Sequence, residues 1–228
     1  MNFLKSNEAR GKRAITFLYA VATINFIFIF IYLFKYNLVS SLLEMDNIAY
    51  SETLDMIDII IGFVALVLLT CYVCSIVFFL QWFRRSYANL HVKVSHLNHG
   101  EGWAVGAWFI PFLNAFRPMQ IMKEIYQETW VFIYKKQDRD YPKPSFLYIN
   151  LWWMFWIISN ITGQISWRVF GDADGITYDN KHSALFDSFD SLMSVIAGLL
   201  LIKVIRSYLP MERELAKLSP EAEKEILI

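Results

Sequence analysis

The sequence predicts an all-α membrane protein with four transmembrane helices, a cytoplasmic-side re-entrant or interfacial broken helix, and both termini in the cytoplasm. Three observations predict it. Hydrophobic residues are 56% of the 228 and charged residues only 18%, below the quarter typical of soluble domains. Four apolar runs are long enough for a hydrocarbon core of about 30 Å, which takes about 20 helical residues. Basic residues gather on alternate connections, as the positive-inside rule requires.

The first span, residues 14–34, is uncharged behind Arg10, Lys12 and Arg13. It is longer than a secretory signal core and no A-x-A site follows it, so it reads as a retained anchor. The second, 59–83, lies between Asp58 and the pair Arg84, Arg85. Cys71 and Cys74 fall on one face of it with no other soft ligand nearby, which reads as small packing residues rather than a redox or metal pair. The third span is 145–167. The fourth, 184–205, carries Asp187, Asp190 and Lys203 around an uncharged centre; a loop there would leave that apolar surface uncovered. A short cytoplasmic tail, 206–228, completes a single membrane domain.

Of the 21 Lys and Arg residues, 18 fall in the N-terminus, in 84–143 and in the tail, leaving Lys35, Arg168 and Lys181 on the other side. This orients the chain with its basic side and both termini in the cytoplasm. The outer loops are acidic, with Glu44, Asp46, Glu52 and Asp55 in one and Asp172, Asp174 and Asp179 in the other. The GDADG stretch resembles the opening of a calcium loop, but the twelfth position is Ser183 instead of a closing carboxylate; a solvated turn is the better reading. Zero net charge gives no attraction for nucleic acid.

One segment does not fit this scheme. WAVGAWFIPFLNAF, residues 103–116, is uncharged between Glu101 and Arg117. Fourteen residues reach only about 21 Å as helix, and a fifth span would export the basic residues that follow. A re-entrant or interfacial segment over 103–134 remains, broken at Pro111, with Gly102 and Gly106 permitting close backbone approach and Trp103 and Trp108 at interfacial depth. Helix is expected to restart at Pro118 and run to about Tyr134, with Met122, Ile125, Thr129 and Ile133 on one side and Lys123, Glu124 and Glu128 elsewhere. The segment is a plug packed under the bundle, a lipid or ligand site, or a docking surface for a protein partner at the cytoplasmic face. As a site it would use Trp103, Gly106, Trp108, Pro111, Asn114, Arg117 and Glu124: tryptophans for area, Arg117 for charge, the break at Pro111 for exposed carbonyls.

Within the bundle, Trp153, Trp156, Asn160, Gln164 and Trp167 share a helical face. A short connection makes the last two spans antiparallel neighbours, bringing Gln164 and Arg168 toward Asp187 and Asp190. Asn160, Gln164, Asp187 and Asp190, with Asn25 in the first span, form a candidate intramembrane polar cluster. Its carboxylates either cap a helix end and make structural hydrogen bonds, since they lie in the first turns of a span beginning near Ala184, or hold a cation or proton. His91, His96, His99 and Glu101 match no standard zinc spacing and read as a hydrated connector; no metal or cofactor is expected.

The runs FLQWFRRSYANL (79–90) and GWAVGAWFIPFLNAFRPMQIMKEIY (102–126), with LWWMFWII (151–158), are similar to the signature of the bacterial multi-pass family called domain of unknown function 4328. The chain departs from that pattern at Glu101, where members usually carry Pro. The resemblance implies a bacterial integral membrane protein and no catalytic residues. Enzyme signatures such as G-x-S-x-G, H-E-x-x-H or a phosphate-binding glycine loop are absent. The sequence therefore points to a membrane-embedded binding or scaffolding protein using its broken helix, with membrane lipid as partner. A small transporter or lipid-handling protein is the alternative, although no inverted repeat is visible; a membrane enzyme is the second.

Overall fold

The computed structural model describes residues 4–44, 52–137, 141–171 and 177–218. Every regular element among them is helical: α1 (Glu8–Glu44), α2 (Glu52–Lys93), the single turn α3 (Trp103–Gly106), a 3₁₀ turn (Leu113–Ala115), α4 (Arg117–Gln137), α5 (Leu147–Phe170) and α6 (Tyr178–Lys217). Residues 172–175 of the acidic stretch GDADG and residues 45–51 of the first outer loop, Asp46 among them, lie outside the described residues.

The long helices outgrow the apolar runs that mark them. Hydropathy reports the surrounding solvent, whereas Lys, Arg, Glu and Leu continue a helix well past it. The last span shows this most clearly. α6 begins at Tyr178, capped by the Thr177 hydroxyl, which accepts from the Asn180 N–H at 3.1 Å. Asp187 and Asp190 are thus in its third and fourth turns, and the helix-end reading of them fails. The expected tail is helical to Lys217, through Pro210, which cannot donate to the Arg206 carbonyl.

Three helices, α1, α2 and α6, are long and apolar enough to cross a membrane. With 24 residues, α5 has the length, about 36 Å. Its composition is less aliphatic, because Asn150, Asn160, Gln164 and four tryptophans dilute it. The run that looked weakest in sequence qualifies on hydropathy, and the aromatic-rich one does not.

The chain forms two compact units, each assembled from separated stretches. Residues 1–16, 75–151 and 200–228 make the first, which holds 18 of the 21 basic residues; 17–74 and 152–199 make the second, which holds Lys35, Arg168 and Lys181. The first unit has a core like that of a soluble protein, with Trp82, Phe83, Tyr87, Leu90, Ile121, Met122, Ile125, Ile205 and Tyr208 fully buried. Gly11 lets α1 lie against this core, since a Cβ there would sit 2.9 Å from Leu209 Cδ2 and 3.1 Å from Trp82 Cδ1.

The second unit is apolar outward as well as inward. Phe28, Val21, Ala22, Val39, Met193 and Ala197 are buried, while Ile59, Phe63, Leu66, Leu69 and Val73 of α2 are exposed. So much exposed hydrocarbon suits lipid rather than water. Small residues let α1 and α6 approach, with Gly198 facing Ala22. Lys35 and Asp58 form an ion pair at 2.7 Å within the unit.

Candidate functional site

The broken segment belongs wholly to the first unit. Helix α3 ends at Gly106, five residues before Pro111, and a series of turns follows. The Leu113 N–H donates to the Pro111 carbonyl at 2.9 Å across Phe112, which is held at φ 66° and ψ −46°. This is a γ-turn of the strained, positive-φ kind, and Phe112 is the single positive-φ non-glycine residue among those described. Its ring projects outward, 87% exposed, beside Phe109 at 73% and the exposed Ile110 and Phe116. Helix resumes at Arg117, one residue before the expected Pro118, and the Gln120 N–H reaches back to the Phe116 carbonyl at 3.1 Å.

Several expected roles change on this geometry. A Cβ on Gly102 or Gly106 would meet nothing within 4 Å, so these glycines do not serve a close backbone approach within the chain. Past the break, the carbonyls of Ile110, Pro111, Phe112 and Leu113 each accept a turn hydrogen bond. Trp108 is half-buried, its ring edge-on to Phe79 at 5.6 Å and Phe83 at 6.4 Å, and acts as the segment's anchor rather than as presented area. Presented area comes instead from Trp103, Phe109, Ile110, Phe112 and Phe116. Asn114 is partly covered, with its side-chain oxygen buried and unpartnered among the described residues.

Glu124 is buried and holds the connector in place. Its Oε1 accepts from the Asn98 N–H at 2.6 Å and from Asn98 Nδ2 at 2.8 Å, and its Oε2 lies 2.7 Å from the Tyr87 hydroxyl. That hydroxyl is also 2.8 Å from the His99 carbonyl oxygen and shares one proton between the two acceptors. Arg117 Nη1 lies 3.1 Å from His99 Nε2, with its guanidinium 5.7 Å from the Phe116 ring centre. No carboxylate among the described residues pairs with Arg117, so its charge remains available at the edge of the apolar tip. His96 meets Glu128 at 3.1 Å, and His91 stacks edge-on against Tyr87, so the histidines go to separate partners. On α4, burial pushes the Tyr126 hydroxyl well above the usual tyrosine range, and it stays an O–H donor to the Val204 carbonyl.

The second unit gathers part of the polar cluster. Asp190 Oδ1 accepts from the Ser159 hydroxyl at 2.6 Å, and Ser159 lies 2.8 Å from Ser194. An open recess of about 370 Å³ is lined by Asn25, Tyr72, Ser159, Asn160, Gly163, Gln164, Trp167, Asp190 and Ser194, with Leu68. Asn160, Gln164 and Asp190 therefore do meet. Asp187 does not join them: it accepts from Ser166 at 2.5 Å and Ser183 at 3.1 Å. Arg168 pairs with neither carboxylate among the described residues.

A third arrangement had no sequence signal. Asn7, 3% exposed, directs its Nδ2 at the Trp82 carbonyl (3.1 Å), Ser86 Oγ (2.9 Å) and both carboxylate oxygens of Glu212 (3.1 and 3.3 Å). Asn89 Nδ2 donates to Glu212 Oε1 at 3.1 Å and to the Lys5 carbonyl at 3.0 Å. These partners stand 75 to 205 residues apart, so no local spacing could reveal them. Asn7 occupies the position before α1, and its side chain is spent on tertiary contacts.

The family model described as Domain of unknown function (DUF4328) matches residues 46–209. No curated protein and no solved structure matches the chain. The match spans well over half the sequence, and the chain belongs to this family.

Proposed function

We propose that this DUF4328 protein is a four-span protein of a bacterial inner membrane, with its basic unit and termini cytoplasmic, acting as a membrane-embedded binding protein. In this reading α5 is the remaining span, and residues 103–134 lie at the inner interface. Segment 109–116 dips its rings into the acyl boundary while Arg117 meets an anionic headgroup.

The observation that supports it is the γ-turn at Phe112. A positive-φ residue of this kind costs about 1–3 kcal/mol, and the turn presents a phenyl ring that the first unit leaves uncovered. Moving such a ring from water to an apolar medium returns about 1.5–3 kcal/mol, so lipid contact offsets the strain and water contact does not. Basic residues near an anionic leaflet add about 1 kcal/mol each. The sorting of 18 basic residues into the unit that carries the segment supports the same side for both.

The test is native mass spectrometry on the full chain in nanodiscs of mixed phosphatidylglycerol and phosphatidylcholine, against a Phe109→Ser, Phe112→Ser, Arg117→Gln variant. Preferential retention of phosphatidylglycerol, lost in the variant, is expected. Equal retention by both proteins counts against a lipid role and moves the segment to a cytoplasmic protein partner. The recess beside Asp190 favours a second reading, a small transporter or lipid-handling protein.

A further inference from the structure

The recess in the second unit holds an acceptor-rich wall that the packing of the unit does not use. Asp190 Oδ1 accepts a hydrogen bond from the Ser159 hydroxyl, but no described donor reaches Oδ2. That oxygen faces the bare Cα of Gly163, where a Cβ would stand 3.5 Å away. No Lys, Arg or His among the described residues pairs with Asp190; Lys35, the basic side chain of the first span, is engaged with Asp58 at 2.7 Å. Asn25 adds a second, independent observation. It lines the same recess, is 6% exposed, and spends its Nδ2 on the Val21 carbonyl of its own helix at 2.9 Å. Its Oδ1 has no partner among the described residues.

A carboxylate oxygen and an amide oxygen without protein donors line a recess that opens to its surroundings, and one cation carrying N–H donors can satisfy both. We infer that the recess binds a primary alkylammonium group, its N–H donors directed at Asp190 Oδ2 and Asn25 Oδ1. Charge and donor count fit that ligand better than a metal ion. One carboxylate balances one positive charge, and among the described residues no group of three His, Cys, Asp or Glu gathers for a metal. A bare divalent ion demands six or more close oxygens. About 370 Å³ is also roomy for a naked ion but suited to an amine with its carbon chain, since one water occupies only about 30 Å³. Tyr72 and Trp167 contribute aromatic walls against which a cation is favoured. Gly163 keeps the approach to Oδ2 clear. The site is independent of the lipid-facing segment at 103–117 and stands or falls separately.

The experiment is thermal unfolding of the full chain in detergent, titrated at constant ionic strength with ethanolamine hydrochloride, tetramethylammonium chloride or sodium chloride. Ethanolamine is expected to stabilise saturably, and tetramethylammonium, which has no N–H, is not. Two variants localise the effect: Asp190→Asn, where Ser159 can still donate to the amide oxygen, and Gly163→Val, which keeps the carboxylate and fills the space before it. Each should weaken the ethanolamine midpoint at least 10-fold while retaining a cooperative transition. Phosphatidylethanolamine that survives purification of the wild type and is missing from Asp190→Asn would identify the ammonium group as a lipid headgroup; ethanolamine binding without it would identify a free amine. An equal response to sodium chloride, or an ethanolamine response unchanged in both variants, overturns the inference.

Discussion

Replacing Phe112 separates two quantities that the γ-turn ties together. Phe112→Ser removes the ring and keeps a Cβ at φ 66°, whereas Phe112→Gly removes the ring and the strain. With 87% of the residue exposed, the ring's transfer into acyl chains is worth about 1.5–3 kcal/mol. At about 1.4 kcal/mol per decade that is roughly a 10- to 100-fold change in the docked fraction of the segment. The strain term is about 1–3 kcal/mol. A nitroxide on Ile110→Cys, in a Cys71→Ser, Cys74→Ser background, reports docking by its relative accessibility to oxygen and to a water-soluble nickel chelate in anionic nanodiscs. With Phe112 in place the label should favour oxygen; with Ser or Gly it should move to the nickel side by the same amount. Unfolding should then distinguish the two, with Phe112→Gly more stable than Phe112→Ser by the strain term. A label that meets nickel equally in all three proteins would refute the membrane reading, and equal stability of the two variants would refute the strain argument.

Other expectations follow from the first unit's packing. Glu124→Ala strands the Asn98 donors and leaves the Tyr87 hydroxyl only the His99 carbonyl, and should cost about 1–3 kcal/mol; hydrogen exchange of residues 94–102 should rise while the melting temperature falls. Asn7→Ala removes the amide that meets the Glu212 carboxylate while Asn89 still donates to it, a loss of about 1.5–3 kcal/mol, measured by earlier unfolding and by faster proteolysis ahead of α1. Gly11→Ala places a methyl 2.9 Å from Leu209 Cδ2, which can swing aside in part, so about 1–2 kcal/mol of destabilisation is expected in a thermal melt. Trp108→Ala should behave as a core deletion rather than a surface change, losing about 2–4 kcal/mol through its contacts with Phe79 and Phe83.

How far the sequence could be read depended on the range of the cause. Membrane runs are local, and residues 14–34, 59–83 and 184–205 lie inside α1, α2 and α6 as expected. Their ends were misjudged because a charge ends an apolar run without ending a helix, and helix continues as far as Lys93 and Lys217. In the polar cluster, Asn160, Gln164 and Asp190 were legible from helical spacing and one short connection. Asp187 was not: three residues from Asp190 it finds its own hydroxyls, Ser166 and Ser183, and turns away from the recess. At the broken segment, composition revealed the interruption but located it at Pro111, whereas backbone geometry puts the decisive strain one residue later, at Phe112. Glu124 looked like an exposed helix side and is buried, since its partners Tyr87 and Asn98 come from a distant stretch.

The tether between Asn7 and Glu212 also sets an order of events during synthesis. Elongation at about 5–20 residues per second means that roughly 10–40 s separate the emergence of Asn7 from that of a carboxylate 205 residues later. α1 can enter the bilayer long before then, and Trp82 and Ser86 can receive Asn7 part-way. The closing contact waits for the last helix. Until it arrives, the stretch ahead of α1 lacks its Glu212 contact, and protection of that stretch from proteolysis reports that α6 has docked.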